Sequence, residues 1–346
     1  MHVPDGFLDV PTSVATGVVA VAVVGTALRR AEREIAETGP ALPGLTAAFV
    51  FAAQMVNFPV GAGTSGHLLG GALAAALVGP WTAVVVLTAV LLVQGLLFAD
   101  GGLTALGTNV LTMAVVGVVV GYLVARLVLR LLPARSRSVV PAAAIGAFVS
   151  VPAAALAFTA LYAIGGTVDI PLGRLATAMV GWHLVIGIGE ALITAAVLGA
   201  VMATRPDLVH LARHLPTAAP EAAAEGAVDS PAPGARQPVR LGRRTLAIGG
   251  VATLVVAGAV SLLASANPDG LEYVAESMGF VGAARDSAVA GSPLADYAVS
   301  GLANPWVSGA IAGVVGALVT VALGLLLALV ARRLRGARVA RAAALD

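Results

Sequence analysis

A succession of long, almost uncharged apolar stretches, punctuated by arginine clusters, sets the strongest limit on what this chain can fold into. Stretches run over residues 10–28, 42–58, 67–78, 81–98, 109–132, 139–164 and 176–203, and two more cover 245–264 and 306–330. Most are long enough to cross about 30 Å of hydrocarbon. Inside such a layer every backbone polar group must be satisfied within its own segment, which selects helices. The stretch 67–78 is short, so it is expected to be tilted or buried among its neighbours. Charged residues make up 11% of the chain, against roughly 25% in soluble domains. The expected fold is therefore an all-α, polytopic transmembrane helical bundle of about seven spans, followed by a two-span C-terminal module.

The arginines orient this bundle. Arg29, Arg30 and Arg33 follow the first stretch, Arg126, Arg130, Arg135 and Arg137 the fifth, and Arg205 the seventh. Arg332, Arg333, Arg335, Arg338 and Arg341 close the chain. If the spans alternate, all of these fall on one side, which the positive-inside rule makes cytoplasmic. A multi-pass protein of the cell membrane is expected, with an extracytoplasmic N-terminus and a cytoplasmic C-terminus. The loops 59–66, 99–108 and 165–175 then lie outside. No basic segment precedes the first stretch, which therefore reads as retained rather than as a removable signal.

Between 206 and 242 the pattern lapses into Pro, Ala, Glu and Gly, as in a flexible linker. Three regions result: 1–205 as a seven-span domain, 206–242 as a cytoplasmic linker, and 243–346 as a two-span module with an extracytoplasmic segment. The chain has no Lys and no Cys. A Walker-type phosphate loop is thereby excluded, as are disulfides and thiolate metal sites. The net charge of +2 gives no reason to expect nucleic acid as a partner; lipid is the expected surrounding.

The chain opens Met1-His2-Val3-Pro4-Asp5-Gly6. A terminal amine, the amide nitrogen of His2 and its imidazole can wrap one divalent ion in two fused chelate rings. A fourth nitrogen closes a square plane, a geometry that suits Ni(II) or Cu(II). His67, expected on the same face after a glycine-rich loop, is the candidate for that nitrogen. The metal set is Met1, His2 and His67. Pro4-Asp5-Gly6 favours a turn, with Asp5 holding it.

The loop Gly61-Ala62-Gly63-Thr64-Ser65-Gly66 also matches other patterns. Its G-x-G-x-x-G spacing lacks the strand and βαβ unit that a dinucleotide site requires. Its Gly63-Thr64-Ser65-Gly66 resembles the motif of intramembrane serine proteases, with Ser65 as nucleophile and His183 as base. That is the rival reading. His183 otherwise reads either as a residue supporting the metal ligands or as a satisfied core histidine, and Glu190 as a structural hydrogen-bonding group. Asp100 and Asn109 read as helix caps. Gln54 and Gln94 read as bonds across helices. Asp269, Glu272 and Asp296 read as solvated loop acids, with the alternative that they attract cations and help the module's outside segment to load or gate the site; either way the C-terminal module is expected to supply no metal ligand.

The N-terminal motif, with Gly63–Gly71, Gly79-Pro80-Trp81, Asp100-Gly101-Gly102, Gly181-Trp182-His183 and Gly187–Ala191, resembles the CbiM/NikM family of metal-capture subunits in energy-coupling-factor transporters. The segment Asn267-Pro268-Asp269-Gly270-Leu271-Glu272 resembles the small NikN/PDGLE-type partner, here fused. The resemblance implies that Ni(II) or Co(II) is the transported substrate. It implies ligation by Met1, His2 and a histidine matching His67. It also implies a transmembrane coupling subunit and cytoplasmic ATPase subunits as partners, and no enzymatic activity in this chain. The fused module tilts the expectation toward nickel without deciding it.

Overall fold

The computed structural model describes residues 1–213, 215 and 241–343. The expected linker lies outside the described residues apart from its two ends, as do the side chains of Arg335, Arg338 and Arg341. Near its start, residues 206–212 form two 3₁₀ turns that bury Leu208, Val209 and Leu211.

The chain folds as an all-helical bundle with one small hairpin. Its elements are α1 (Val10–Thr38), α2 (Ala41–Gln54), β1 (Phe58–Gly61), β2 (Thr64–Gly66), α3 (Gly71–Val78), α4 (Pro80–Leu97) and α5 (Leu106–Asn109). A π-helical stretch, Val110–Val116, leads into α6 (Gly117–Leu131), followed by α7 (Val139–Gly165) and α8 (Leu172–Thr204). The C-terminal module contributes α9 (Arg243–Gly258), the short α10 (Gly270–Ser277) and α11 (Pro305–Ala343).

Among the described residues, seven helical segments are long and apolar enough to cross a membrane. The stretches expected at 42–58 and 67–78 are shorter helices. At 1.5 Å per residue, the 14 residues of α2 reach about 21 Å and the 8 of α3 about 12 Å. Glycine and proline set these limits. Gly70 enters α3 at φ +79° and Gly79 ends it at φ +94°, with Pro80 opening the next helix. Every residue of α3 is buried, as its length suggested. A Cβ on Gly71 would lie 2.8 Å from the Gly117 carbonyl carbon, so α3 and α6 meet backbone to backbone. Such close approach through small residues is how helices associate where no aqueous driving force acts.

The two modules share one core. α11 packs along α1, α2 and α4, while α9 lies against α2 and α11. A second layer joins α6, α7 and α8. The turn at Gly79 is fixed from α1, where the Glu34 carboxylate accepts hydrogen bonds from the Thr82 amide and hydroxyl, both at 2.7 Å. Arg30 lies over the Trp81 ring at that same end. Arg205, after α8, donates to Thr245 on α9 at 2.7 Å, and Arg213 donates to Glu37 on α1 at 2.8 Å, so these arginine-bearing ends lie together.

Candidate metal-capture site

The first nine residues are threaded into the bundle as an extended strap. Asn109 grips Val3 on both sides: its Oδ1 accepts from the Val3 amide at 2.7 Å, and its Nδ2 donates to the Val3 carbonyl at 3.1 Å. Asp5 accepts from the amides of Leu103 and Thr104 at 3.2 and 2.7 Å. Gly6 turns at φ +91°, and a Cβ there would overlap the Ala283 carbonyl. The Asp9 amide donates to Gly165 O at 2.8 Å, and its carboxylate caps α1 through the Thr12 amide at 2.9 Å. Asn109 is thus a clamp on the strap rather than the cap expected of it. Asp5 likewise holds the 102–104 loop rather than its own turn.

The strap delivers the terminus into the interior, where Met1 is 2% exposed. Its amine meets His67 Nε2 directly. His67 follows β2, whose hairpin packs on α8; a Cβ on Gly66 would come within 2.7 Å of Ile186. Its Nδ1 donates to the Leu68 carbonyl at 3.0 Å, leaving the Nε2 lone pair for the amine side. A metal-ligating histidine commonly anchors its other nitrogen in this way. The turn after His67 is held by Glu190, whose oxygens accept from the Leu69 and Gly70 amides at 2.6 and 2.8 Å. Gln54 Nε2 donates to the Leu69 carbonyl at 2.8 Å. Both polar helix residues therefore act across helices, in the structural roles expected of them.

The His2 ring stacks on His67, centroids 5.1 Å apart. Its Nε2 lies 3.1 Å from Gln94 Oε1, and its Nδ1 lies 3.1 Å from Asp100 Oδ1. Burial pushes the His2 imidazole down to about 4; the Asp100 carboxylate opposes this, and the Met1 amine and His67 add to it. Asp100 is a partner of His2 rather than a cap, and its other oxygen accepts from the Tyr297 hydroxyl at 2.6 Å. Burial, followed by the Asp100 charge, holds the Tyr297 phenol well above its ordinary range, so it stays a donor.

The acid expected to be solvated is not. Asp269 Oδ2 lies 2.5 Å from the Met1 amine and 3.7 Å from His67 Nε2, with the side chain 17% exposed. Burial by itself would raise its carboxyl. The adjacent ammonium outweighs that and holds it well below the usual carboxylate range. Beside this cluster is a cavity of about 340 Å³, lined by His2, His67, Asp100, Asp269 and Tyr297 among others.

Among the described residues no three His, Asp or Glu side chains are arranged as a metal site by themselves. A metal here therefore requires main-chain nitrogens as well. The structure brings together all three sequence-expected ligand residues, Met1, His2 and His67. Sequence reasoning missed Asp269, Asp100 and Tyr297 as their neighbours. The one signal available was the second Pro-Asp-Gly in the C-terminal module.

The serine-protease reading fails on the same geometry. The Ser65 hydroxyl donates to the Asn267 and Pro268 carbonyls at 2.8 and 3.2 Å. His183 donates through Nδ1 to Met179 O at 2.7 Å, and its buried Nε2 has no hydrogen-bond partner, so no Ser–His pair exists.

Residues 2–208 match the CbiM family, described as the cobalt uptake substrate-specific transmembrane region. The chain belongs to that family. Residues 243–333 match the PDGLE domain. The chain is 33% identical to a putative fused nickel transport protein NikMN of Archaeoglobus fulgidus, over 96% of this chain and 99% of that one. It is 35% identical to the fused nickel transport protein NikMN of Rhodobacter capsulatus, over 64% and 67% of the two chains. A crystal structure of a truncated transition metal transporter superposes with a TM-score of 0.52 at 34% identity, covering 59% of this chain and 99% of that one. This is a multi-pass membrane protein of nickel or cobalt transport, and its relatives carry transporter rather than enzyme names.

Proposed function

We propose that the chain is the substrate-binding membrane subunit of an ATP-driven importer, taking up Ni(II) or alternatively Co(II) from the extracytoplasmic face. The ion is held by the Met1 amine, the His2 amide nitrogen and imidazole, and His67 Nε2. The observation that carries this reading is the direct meeting of the Met1 amine with His67 Nε2 beneath the stacked His2 ring. These nitrogens arrive from points 66 residues apart in the sequence, on a strap fixed by Asn109 and Asp5. His2 Nδ1 exchanges Asp100 for the metal when the chelate closes, while Gln94 stays on Nε2.

The arginine-rich ends lie opposite the site, which supports an extracytoplasmic site and a cytoplasmic C-terminus. A chain without Lys has no phosphate loop, so ATP hydrolysis belongs to cytoplasmic ATPase subunits that act through a transmembrane coupling subunit. Relatives that share the fused architecture carry nickel names, while others carry cobalt names. Residues 206–242 serve as the tether that lets the PDGLE module settle over the site.

The test joins two changes in protein purified without an N-terminal tag. His67→Ala should abolish high-affinity binding while the protein remains inserted. One residue added before Met1 converts the amine to an amide and moves the imidazole to third position. A third-position histidine can chelate with its own amine and two amides. Metal binding should then become independent of His67, and transport should stop. Parent-like transport by the extended protein would refute ligation by the amine.

A further inference from the structure

The C-terminal module reaches the metal-capture site with Tyr297, which bonds Asp100, and with Asp269, the one of the two that meets the Met1 amine itself. Asp269 is the N-cap of α10. Its Oδ1 accepts from the Leu271 and Glu272 amides at 2.8 and 2.9 Å, and Glu272 closes a capping box on the Asp269 amide. This fixes the carboxylate plane and leaves Oδ2 directed away from the helix, 2.5 Å from the Met1 amine. The segment carrying it is fastened to the His67 hairpin. The Ser65 amide donates to Pro268 O at 2.8 Å, and the Ser65 hydroxyl holds the Asn267 carbonyl. The Ser265 amide donates to Asn57 O at 2.7 Å, and Tyr273 meets Trp182 edge to face at 4.9 Å. Gly270 leaves room for Ile186 and His183, each of which a Cβ would crowd.

Charge gives this arrangement a purpose. A dication bound by an amine, one deprotonated amide and two neutral imidazoles keeps a net single positive charge. Enclosing that charge in a protein interior is costly unless an opposite charge accompanies it. We propose that Asp269 Oδ2 is a metal-ligating oxygen supplied by the PDGLE module, added to the nitrogen set and cancelling its residual charge. This rests on the nitrogen ligation proposed for Met1, His2 and His67. It makes the fused module part of the binding site itself, and it gives the site mixed nitrogen and oxygen donors rather than nitrogen alone.

The test is Asp269→Asn in the full chain with a native N-terminus. Asparagine caps a helix about as well as aspartate, and the Ser65 bonds to this segment use main-chain carbonyls, so folding and docking persist. Glu276→Gln on the exposed side of α10 controls for loss of one negative charge. Ni(II) affinity is read by competition with a chromophoric chelator. Coordination is read from the Ni(II) absorption and magnetism, and from electron paramagnetic resonance after Cu(II) loading. Asp269→Asn should weaken binding at least about tenfold. It should also shift the Ni(II) spectrum toward a diamagnetic four-nitrogen plane, whereas Glu276→Gln does neither. Unchanged affinity and spectra in Asp269→Asn would overturn the proposal, and so would tighter binding, which would make Asp269 a competitor for the amine. His67→Ala in the same series separates the two levels. If it abolishes binding while Asp269→Asn is silent, the nitrogen site stands and this inference alone falls. If it leaves binding intact, the nitrogen site falls as well.

Discussion

Pro-Asp-Gly occurs twice in this chain, at Pro4-Asp5-Gly6 and Pro268-Asp269-Gly270; the first closely follows Met1, and the aspartate of the second pairs with the Met1 amine. In the first copy both carboxylate oxygens are engaged by the 102–104 loop. Oδ2 takes the Leu103 amide, and Oδ1 takes the Thr104 amide and hydroxyl. In the second copy Oδ1 is engaged by its own helix and Oδ2 is left for the Met1 amine. The glycines differ in the same sense. Gly6 sits at positive φ and lets the strap turn, whereas Gly270 is the first residue of a regular helix and needs only the space beside Ile186 and His183. Identical local chemistry becomes an anchor in one place and a partner of the terminal amine in the other, because the next stretch of backbone differs. After Gly6 the chain runs on extended; after Gly270 a helix begins and supplies amides of its own.

Removing the first copy's carboxylate should have the largest effect. Asp5→Ala leaves the Leu103 and Thr104 amides without their acceptor. Each buried donor so orphaned costs about 1–3 kcal/mol, and with Thr104 near solvent the sum is about 2–4 kcal/mol. Melting temperature and metal binding should fall together, whereas Asp269→Asn should lower binding alone. If Asp5→Ala melts like the parent and still binds metal, the contrast between anchor and amine partner is broken.

Asn109→Ala probes the same anchor one step away. The Val3 amide, in a residue with no exposure, would lose its acceptor and the strap one of its clamps. We expect a stability loss of about 1–3 kcal/mol and an affinity loss near tenfold, since Asp5 still holds the next turn. Affinity should be compared by the same chelator competition. A fall equal to that of Asp5→Ala would show that the two residues hold the strap as one unit, which sharpens the comparison.

The sequence disclosed the bundle because hydropathy and arginine placement act over whole segments. That Met1, His2 and His67 lie together was legible because fused chelate rings depend on local order, and a histidine after a glycine-rich turn is visible as such. Three features were hidden for physical reasons. The helix α2 stops at Gln54 although the apolar run continues to Phe58, since the β1–β2 hairpin claims the last residues. Asp100 and Asn109 carry a cap-like spacing, but their partners, His2 and Val3, come from the opposite end of the domain. Asp269 has every local mark of a solvated capping residue; it does cap its helix, but it is drawn to the Met1 amine because the module docks on the hairpin through Ser65.

The smallest effect is expected at His183, which touches the second copy from behind. A Cβ placed on Gly270 would lie 3.1 Å from its ring, and it shares a tight niche with Met1, His67 and Asp269. Its Nδ1 is engaged by Met179 O and its Nε2 has no hydrogen-bond partner, so it passes no hydrogen bond to the ligands. Whatever it contributes reaches the metal through the position of Gly270, and hence of Asp269. His183→Ala should therefore leave a cavity beneath α10, with a stability loss on the order of 2 kcal/mol. Affinity should fall less than about tenfold, equivalent to under about 1.4 kcal/mol. The informative measurement is the double variant with Asp269→Asn. If His183 acts by placing Asp269, its effect on affinity vanishes once that carboxylate is gone, while its effect on melting persists. Should the affinity losses instead add, His183 acts on the site by another route, through the niche that it shares with Met1 and His67.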